Sequence, residues 1–233
     1  LDKDGLVRLW SKIKGADTVI QEDLDTLKTD VYDLHSASTC SVSPSVIEAG
    51  VATSVTVKWG CTYKGKTITP VSTTVSKTEA IGSTASTATT VSTTPNSSTT
   101  QTLTTSGAGT VTYTNSSTIV EGVTKNTTAK VTAVYPMYFG GNTSSTLDSA
   151  KVLALTKQTI KTSPAGSYSV AVTQGQYMWL CVPSTMTINK VTSSGFAVPM
   201  ESAVSVTVSG KGTYKCYRSS STYVAGTVSI VIS

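Results

Sequence analysis

The chain has 233 residues, a net charge of +5, and 18 Lys or Arg against 13 Asp or Glu. Charged residues make up 13%, about half the usual share; Ser and Thr take their place and leave a polar, weakly charged surface suited to an extended or assembled structural protein. The basic residues are scattered and not interleaved with aromatics, which argues against nucleic-acid binding, and no apolar run reaches the roughly 18 residues of a membrane-spanning helix.

The opening segment, 1–36, reads as helical. Asp2 or Asp4 caps a first helix to Lys14, with Leu6, Leu9, Trp10 and Ile13 as its apolar stripe. Leu1–Trp10 is amphipathic and carries acids, unlike a secretory leader. Gly15 interrupts, and Asp17 or Thr18 caps a second helix running to about His35, with Glu22, Asp23 and Asp25 in its early turns. In that second helix Ile20, Leu24, Leu27, Val31 and Leu34 step by four, three, four and three, the spacing of a coiled-coil seam. Ile20 and Leu27 take the d positions, Leu24 and Val31 the a positions. Projected backwards, the same register meets Ile13, Trp10 and Leu6, with Asp17 as its one polar intrusion. The expectation is an anchor around Leu6, Trp10 and Ile13, a break at Gly15 and Asp17, and an oligomerising bundle, a homotrimer by preference, from Ile20 to Leu34. The alternative is a helix that packs on its own β-domain.

From about Ser38 the period changes to two. Val55, Val57, Trp59 and Cys61 alternate with polar residues as a half-buried strand, and Lys64-Gly65-Lys66 is a hairpin turn into Thr67–Val75. The Ser/Thr/Ala-rich stretch from Ser83 to Thr105 has the composition of a mucin-like stalk, but Thr favours strands and Val91 and Leu103 offer inward anchors. Two or three exposed strands are expected there. Strands at Gly109–Thr114 and Thr128–Tyr135 complete a module over 37–135 whose size and buried Trp fit an immunoglobulin-like sandwich, without the antibody-type Cys…Trp…Cys spacing. A second sandwich spans 136–233. It begins with a short helix from about Leu147 to Leu155, followed by strands at Ser167–Thr173, Gln176–Val182, Met186–Val191, Ala203–Val208, Gly212–Arg218 and Gly226–Ile232. The fold class is therefore mainly β, with a helical N-terminal segment and two Ig-like modules.

Chemistry is sparse. The single His35 ends the helix, where a His commonly meets the last carbonyls. It has no recognisable nucleophile and leaves no zinc set with Cys40, Cys61, Cys181 and Cys216. Those cysteines read as free, partly buried thiols, or as one bridge per module, Cys40 with Cys61 and Cys181 with Cys216. Asp148 and Glu201 are the only pair that suggests a glycosidase dyad, and each is better read as a helix-turn and a loop residue. Neither a catalytic set nor a cofactor or metal site is expected. Tyr177 and Trp179, with Tyr214 and Tyr217, are the aromatics a carbohydrate-binding platform would use, against core and junction packing as the plainer reading. Asn96, Asn115, Asn126 and Asn142 open glycosylation sequons, which chance supplies readily in so Ser/Thr-rich a chain.

The opening Leu1-Asp2-Lys3-Asp4-Gly5-Leu6, continuing through Trp10 to Lys12-Ile13-Lys14, resembles the N-terminal segment of many bacteriophage tail, baseplate and head-fibre proteins. Tyr135-Pro136-Met137-Tyr138-Phe139-Gly140, with the following helix and Tyr177-Met178-Trp179-Leu180, resembles the C-terminal module of structural proteins from phages of gut Bacteroidales, the crAss-like group among them. The resemblance implies a virion part assembled in the host cytoplasm: a head (capsid) fibre or decoration appendage, or else a tail or baseplate fibre. It would attach to other capsid or tail proteins by its N-terminal segment and project Ig-like domains, with host-surface carbohydrate as an outward partner. The rival of another class is a secreted bacterial adhesin or carbohydrate-binding protein.

Overall fold

The chain opens on one helix, α1 (Lys3–His35), of 33 residues, about 50 Å long at about 1.5 Å per residue. This is a computed structural model that describes residues 3–119 and 122–233, without the side chains at 3, 5, 29 and 32–34. Asp2, an expected cap, and the side chain of Leu34, an expected seam residue, lie outside the described residues. The expected break at Gly15 and Asp17 is absent, because a single interior Gly costs only about 1 kcal/mol. Thr18 does not cap; its hydroxyl donates to the Lys14 carbonyl at 3.0 Å, inside the helix. Gln21 Nε2 donates to Asp25 Oδ1 at 2.8 Å, and Lys28 lies 3.5 Å from the same carboxylate, so one-turn pairs carry the helix onward.

No loop follows. The helix ends at His35 and the first strand begins at Ser36. Lys64 N–H donates to the His35 carbonyl at 2.9 Å, and the His35 ring meets Tyr63 edge-on at 6.1 Å. The base of the helix is thus seated on a hairpin of the first module.

That module contains β1 (Ser36–Ser43), β2 (Val46–Glu48), β3 (Thr53–Tyr63), β4 (Lys66–Thr67), β5 (Ser72–Ile81), β6 (Thr84–Ala85), β7 (Thr89–Ser92), β8 (Ser98–Leu103), β9 (Gly109–Thr118) and β10 (Thr124–Val134). One sheet has β3 between β1 on one side and β4 and β8 on the other; the second runs β2-β10-β9-β5, with β6 and β7 on the far edge of β5. The sheets enclose one core: Val55, Val57 and Trp59 from β3 against Val75, Val111, Tyr113 and Val131. The alternation read in β3 holds, with Val55, Val57, Trp59 and Cys61 inward. Lys64 and Gly65, both at positive φ (48° and 74°), make the expected turn, although it leads to β4 and the long strand follows only at Ser72. The Ser/Thr-rich stretch is ordered as β6, β7 and β8, and its anchors act as expected: Leu103 is buried and Val91 packs on the core.

The second module contains β11 (Tyr138–Asn142), α2 (Ser149–Ala154), β12 (Thr156–Lys157), β13 (Gly166–Val172), β14 (Tyr177–Pro183), β15 (Val191–Ser193), β16 (Phe196–Ala197), β17 (Val204–Val208), β18 (Gly212–Thr222) and β19 (Gly226–Ile232). Its sheets run β12-β11-β14-β18-β17 and β13-β19-β15-β16. Between them lie Phe139, Met178, Leu180, Val182, Ile230 and Ile232. The other face of the first sheet is also covered: Trp179, Cys181, Tyr214 and Cys216 pack under Val152 of α2 and Leu155, its C-cap. A strand covered on both faces needs a continuous apolar run, which explains Met178-Trp179-Leu180-Cys181-Val182. The strand expected at Met186–Val191 is mostly loop; Met186 and Ile188 are buried without joining a ladder.

The joint is close-packed. The Tyr135 side chain packs against core residues of both modules. Glu48, with a side chain only 11% exposed, accepts from Lys157 Nζ at 2.5 Å and Lys211 Nζ at 3.4 Å, and Tyr214 Oη donates to the Pro136 carbonyl at 2.9 Å.

Candidate functional site

α1 carries, exposed, the described side chains of the expected anchor and bundle. Each described side chain from Asp4 to Val31 is exposed, Leu6 at 55%, Trp10 at 60%, Ile20 at 64% and Leu27 at 59%. Ile13, Leu24 and Val31 are exposed as well, and Val7 and Leu9 add to the apolar area near the N-terminus. The reading in which the helix packs on its own β-domain is therefore overturned. The β-modules complete their cores from their own strands, and the helix leaves the first module at Ser36 without folding back. Because α1 is unbroken, Leu6, Trp10 and Ile13 share one helix and one register with Ile20, Leu24, Leu27 and Val31. The residues expected as anchor and those expected as bundle lie along a single stripe. Trp10 carries the Lys14 ammonium 5.6 Å from its ring centre, the one described ring contact along this stripe.

The aromatics do not form a carbohydrate platform; the plainer reading, core packing, holds for Trp179 and Tyr214. Trp179 is 2% and Tyr214 0% exposed, in the core beneath α2; buried rings offer no face to a sugar. Trp179 Nε1 donates to the Ser144 carbonyl at 3.3 Å. Tyr217 lies on the opposite face of the sheet, against the inter-sheet core, and its hydroxyl accepts from Ile188 N–H at 3.2 Å. Tyr177 stays half-exposed with the Arg218 guanidinium 4.4 Å from its ring centre. The alternation that put Tyr177 and Trp179 on one face is correct. What it could not show is that α2 covers that face.

The acids do not form a site either. Asp148 is the N-cap of α2, its Oδ1 accepting from Lys151 N–H at 2.9 Å. Glu201 lies in an exposed loop tied by its own N–H to the Arg218 carbonyl at 2.7 Å. Five surface hollows of about 170 to 590 Å³ have no Asp, Glu, His or Cys in their walls. Among the described residues no cluster of three His, Cys, Asp or Glu could hold a metal, and no helix is long and apolar enough to cross a membrane.

The four cysteines are free. Cys40 and Cys61 face Trp59 and Ser38 across the β1–β3 ladder and line different cores, so the first-module bridge is not formed. Cys181 and Cys216 are directly opposite on β14 and β18 and fully buried. Burial first, and then the neighbouring Cys216, push the Cys181 thiol far above its ordinary range. These thiols behave as small apolar core residues.

Two sequon asparagines have structural duties. Asn115 is fully buried, and its Nδ2 donates to the Thr39 and Gly60 carbonyls, each at 3.0 Å, across the two sheets. Asn96, at φ 44°, accepts from Cys61 N–H at 2.8 Å and donates to the Ile68 carbonyl at 2.7 Å. The inward phase of β9, where Val111, Tyr113 and Asn115 alternate, was the available signal for Asn115. No comparable signal marked Glu48, whose partners lie more than 100 residues away. No protein-family model matches the chain, and neither a curated protein nor a solved structure does.

Proposed function

We propose that this chain is a bacteriophage virion structural protein, a head fibre or capsid-decorating appendage, mounted by α1 and held in several copies. One observation carries the reading: a 33-residue helix whose apolar stripe is exposed along its length, set on two β-modules that need nothing from it. A contiguous exposed apolar surface marks an interaction site, and a stripe at heptad spacing on a helix marks helix–helix association. In this reading α1 is a coiled-coil stem, trimeric by preference, and the modules are Ig-like spacers. The rigid joint at Glu48 and Tyr135 supports a projecting rod. The virion assignment itself rests on the resemblance of the opening segment and of the 135–140 junction to phage structural proteins. A tail or baseplate fibre is the same architecture at another site. Neither an enzymatic role nor a cofactor belongs to this reading.

Multi-angle light scattering of the full chain and of residues 36–233 tests the stem. The full chain is expected as an oligomer and the truncated one as a folded monomer; an unchanged oligomer after truncation sinks the proposal. Proteomics and cryo-microscopy of intact particles test the location. A secreted adhesin would be expected to oxidise the apposed Cys181 and Cys216. Thiol titration of natively produced protein in denaturant separates the two, with four free thiols expected of a cytoplasmically assembled part.

A further inference from the structure

We infer that the partner of α1 is a second copy of this chain, aligned parallel and in register, so that the apolar N-terminal segments of α1 lie together, far from the β-modules. This rests on the oligomeric stem proposed above and adds its direction.

With α1 continuous, one register covers it. Leu6, Ile13, Ile20 and Leu27 recur every seven residues at d, and Trp10, Asp17, Leu24 and Val31 at a. The flanking positions then follow. Val7, Lys14, Gln21, Lys28 and His35 are at e; Leu9, Ala16, Asp23 and Asp30 are at g. In a parallel coiled coil, g faces the e position five residues further along the neighbour. That sets Asp23 against Lys28 and Asp30 against His35 of the second copy. Lys28 also touches Asp25 of its own helix at 3.5 Å, a pair with both side chains about half exposed, which leaves the ammonium accessible. Fully overlapped antiparallel helices would instead layer Leu6 on Val31 and Ile13 on Leu24. Their flanks would meet as Val7 with Lys28 and Leu9 with Asp30, a charge against an apolar side chain each time; the parallel arrangement has the same mismatch where Leu9 meets Lys14, but it alone adds opposite-charge pairs.

Asp17 opposes association in either direction: in register its carboxylates repel one another, and out of register each is buried against an apolar side chain, so this single a position favours the register in which water can screen them. In-register parallel helices hold their Asp17 carboxylates in one layer that water can share. A slip of one heptad would bury each carboxylate against Trp10 or Leu24. A polar residue at a single a position sets alignment at a cost in stability. At the N-terminal end the stripe widens, because Val7 at e and Leu9 at g are apolar and exposed at 57% and 48%. Only the parallel arrangement brings those widened segments together into one apolar patch.

The test places one thiol at either end, in Leu6→Cys and in Val31→Cys, with the unaltered chain as control for the native cysteines. Each variant alone, treated with a short bis-maleimide, is expected to give covalent dimers. An oligomer in which neither variant cross-links alone, but their mixture does, overturns the parallel direction and leaves the oligomeric stem standing. A monomer by light scattering overturns both. Charge reversal is the second readout. Lys28→Glu is expected to weaken association roughly threefold to tenfold, and Asp23→Lys added to it to restore association. Residues 23 and 28 cannot pair within one helix, and Asp23→Lys cannot repair the lost Asp25 contact. Failure of the second change to restore association therefore refutes the g-to-e pairing.

Discussion

Gly15→Ala separates an unbroken stem from a jointed one. Gly15 lies in the interior of α1, and a Cβ built there meets nothing within 4 Å. In the heptad register it takes the f position, the outermost on a coiled coil. The substitution therefore gains helix propensity without a packing cost. Ala exceeds Gly by about 1 kcal/mol in a helix interior. In a trimer whose helices form on assembly, three copies gain about 3 kcal/mol together, roughly a hundredfold in the assembly constant. Circular dichroism at 222 nm, followed on heating at several concentrations, should show a transition several degrees higher, and light scattering the same oligomer at lower concentration. Gly15→Pro should do the reverse, since Pro costs about 3 kcal/mol in the same place. A chain in which Gly15→Ala lowers the helical signal or leaves the transition unmoved has a joint at Gly15, and the continuous register fails with it.

Tyr113→Phe should stabilise the first module by about 1 kcal/mol in urea unfolding, because the fully buried hydroxyl has no hydrogen-bond partner. Burial first, then Glu79 and Cys40, push this phenol from 10.0 up to about 12. An acid whose folded-state pKa is raised keeps its stabilising share below pH 10 and loses it as pH rises from 10 through about 12. The Phe variant should lose less stability over that window, and an equal loss in both proteins would refute the assignment. Glu48→Gln should loosen the joint, costing about 1–2 kcal/mol by removing a charged acceptor shared by two ammonium groups. Faster proteolysis near Tyr135-Pro136-Met137 and a broader small-angle scattering ensemble would show it; an unchanged profile in both would assign the rigidity to Tyr135 alone.

The β-architecture was legible wherever one face of a strand is buried and the other wet, because that geometry writes a period of two into the chain. β3 is the clear case, and Leu103 and Val91 rescued the Ser/Thr-rich region, where composition alone suggested a stalk. Legibility failed where a second layer covers the sheet. Trp179 and Tyr214 look like a platform only while α2 is out of view, and the burial of both faces of β14 is a tertiary fact. The clasp of Glu48 by Lys157 and Lys211 was hidden for the same reason: it depends on how the modules dock, and sequence spacing carries no trace of that.

The misreading of α1 has a different cause, and it bears on function. Gly15 and Asp17 were weighed as local signals, a breaker and a cap, and locally both readings are sound. Against them stood the phase of the apolar stripe. Were the chain to break and restart at Asp17, nothing would oblige Leu6, Trp10 and Ile13 to keep the register of Ile20, Leu24 and Leu27, since a loop discards rotational phase. Yet the sevenfold spacing runs from Leu6 through Ile13 and Ile20 to Leu27 without an offset, and Gly15 falls at f, an outward position where a missing side chain leaves no gap in the seam. The unbroken phase is what a single rigid surface requires. In the parallel stem proposed above, the widest apolar patch would lie far from the β-modules, which is the polarity that a mounted appendage would need.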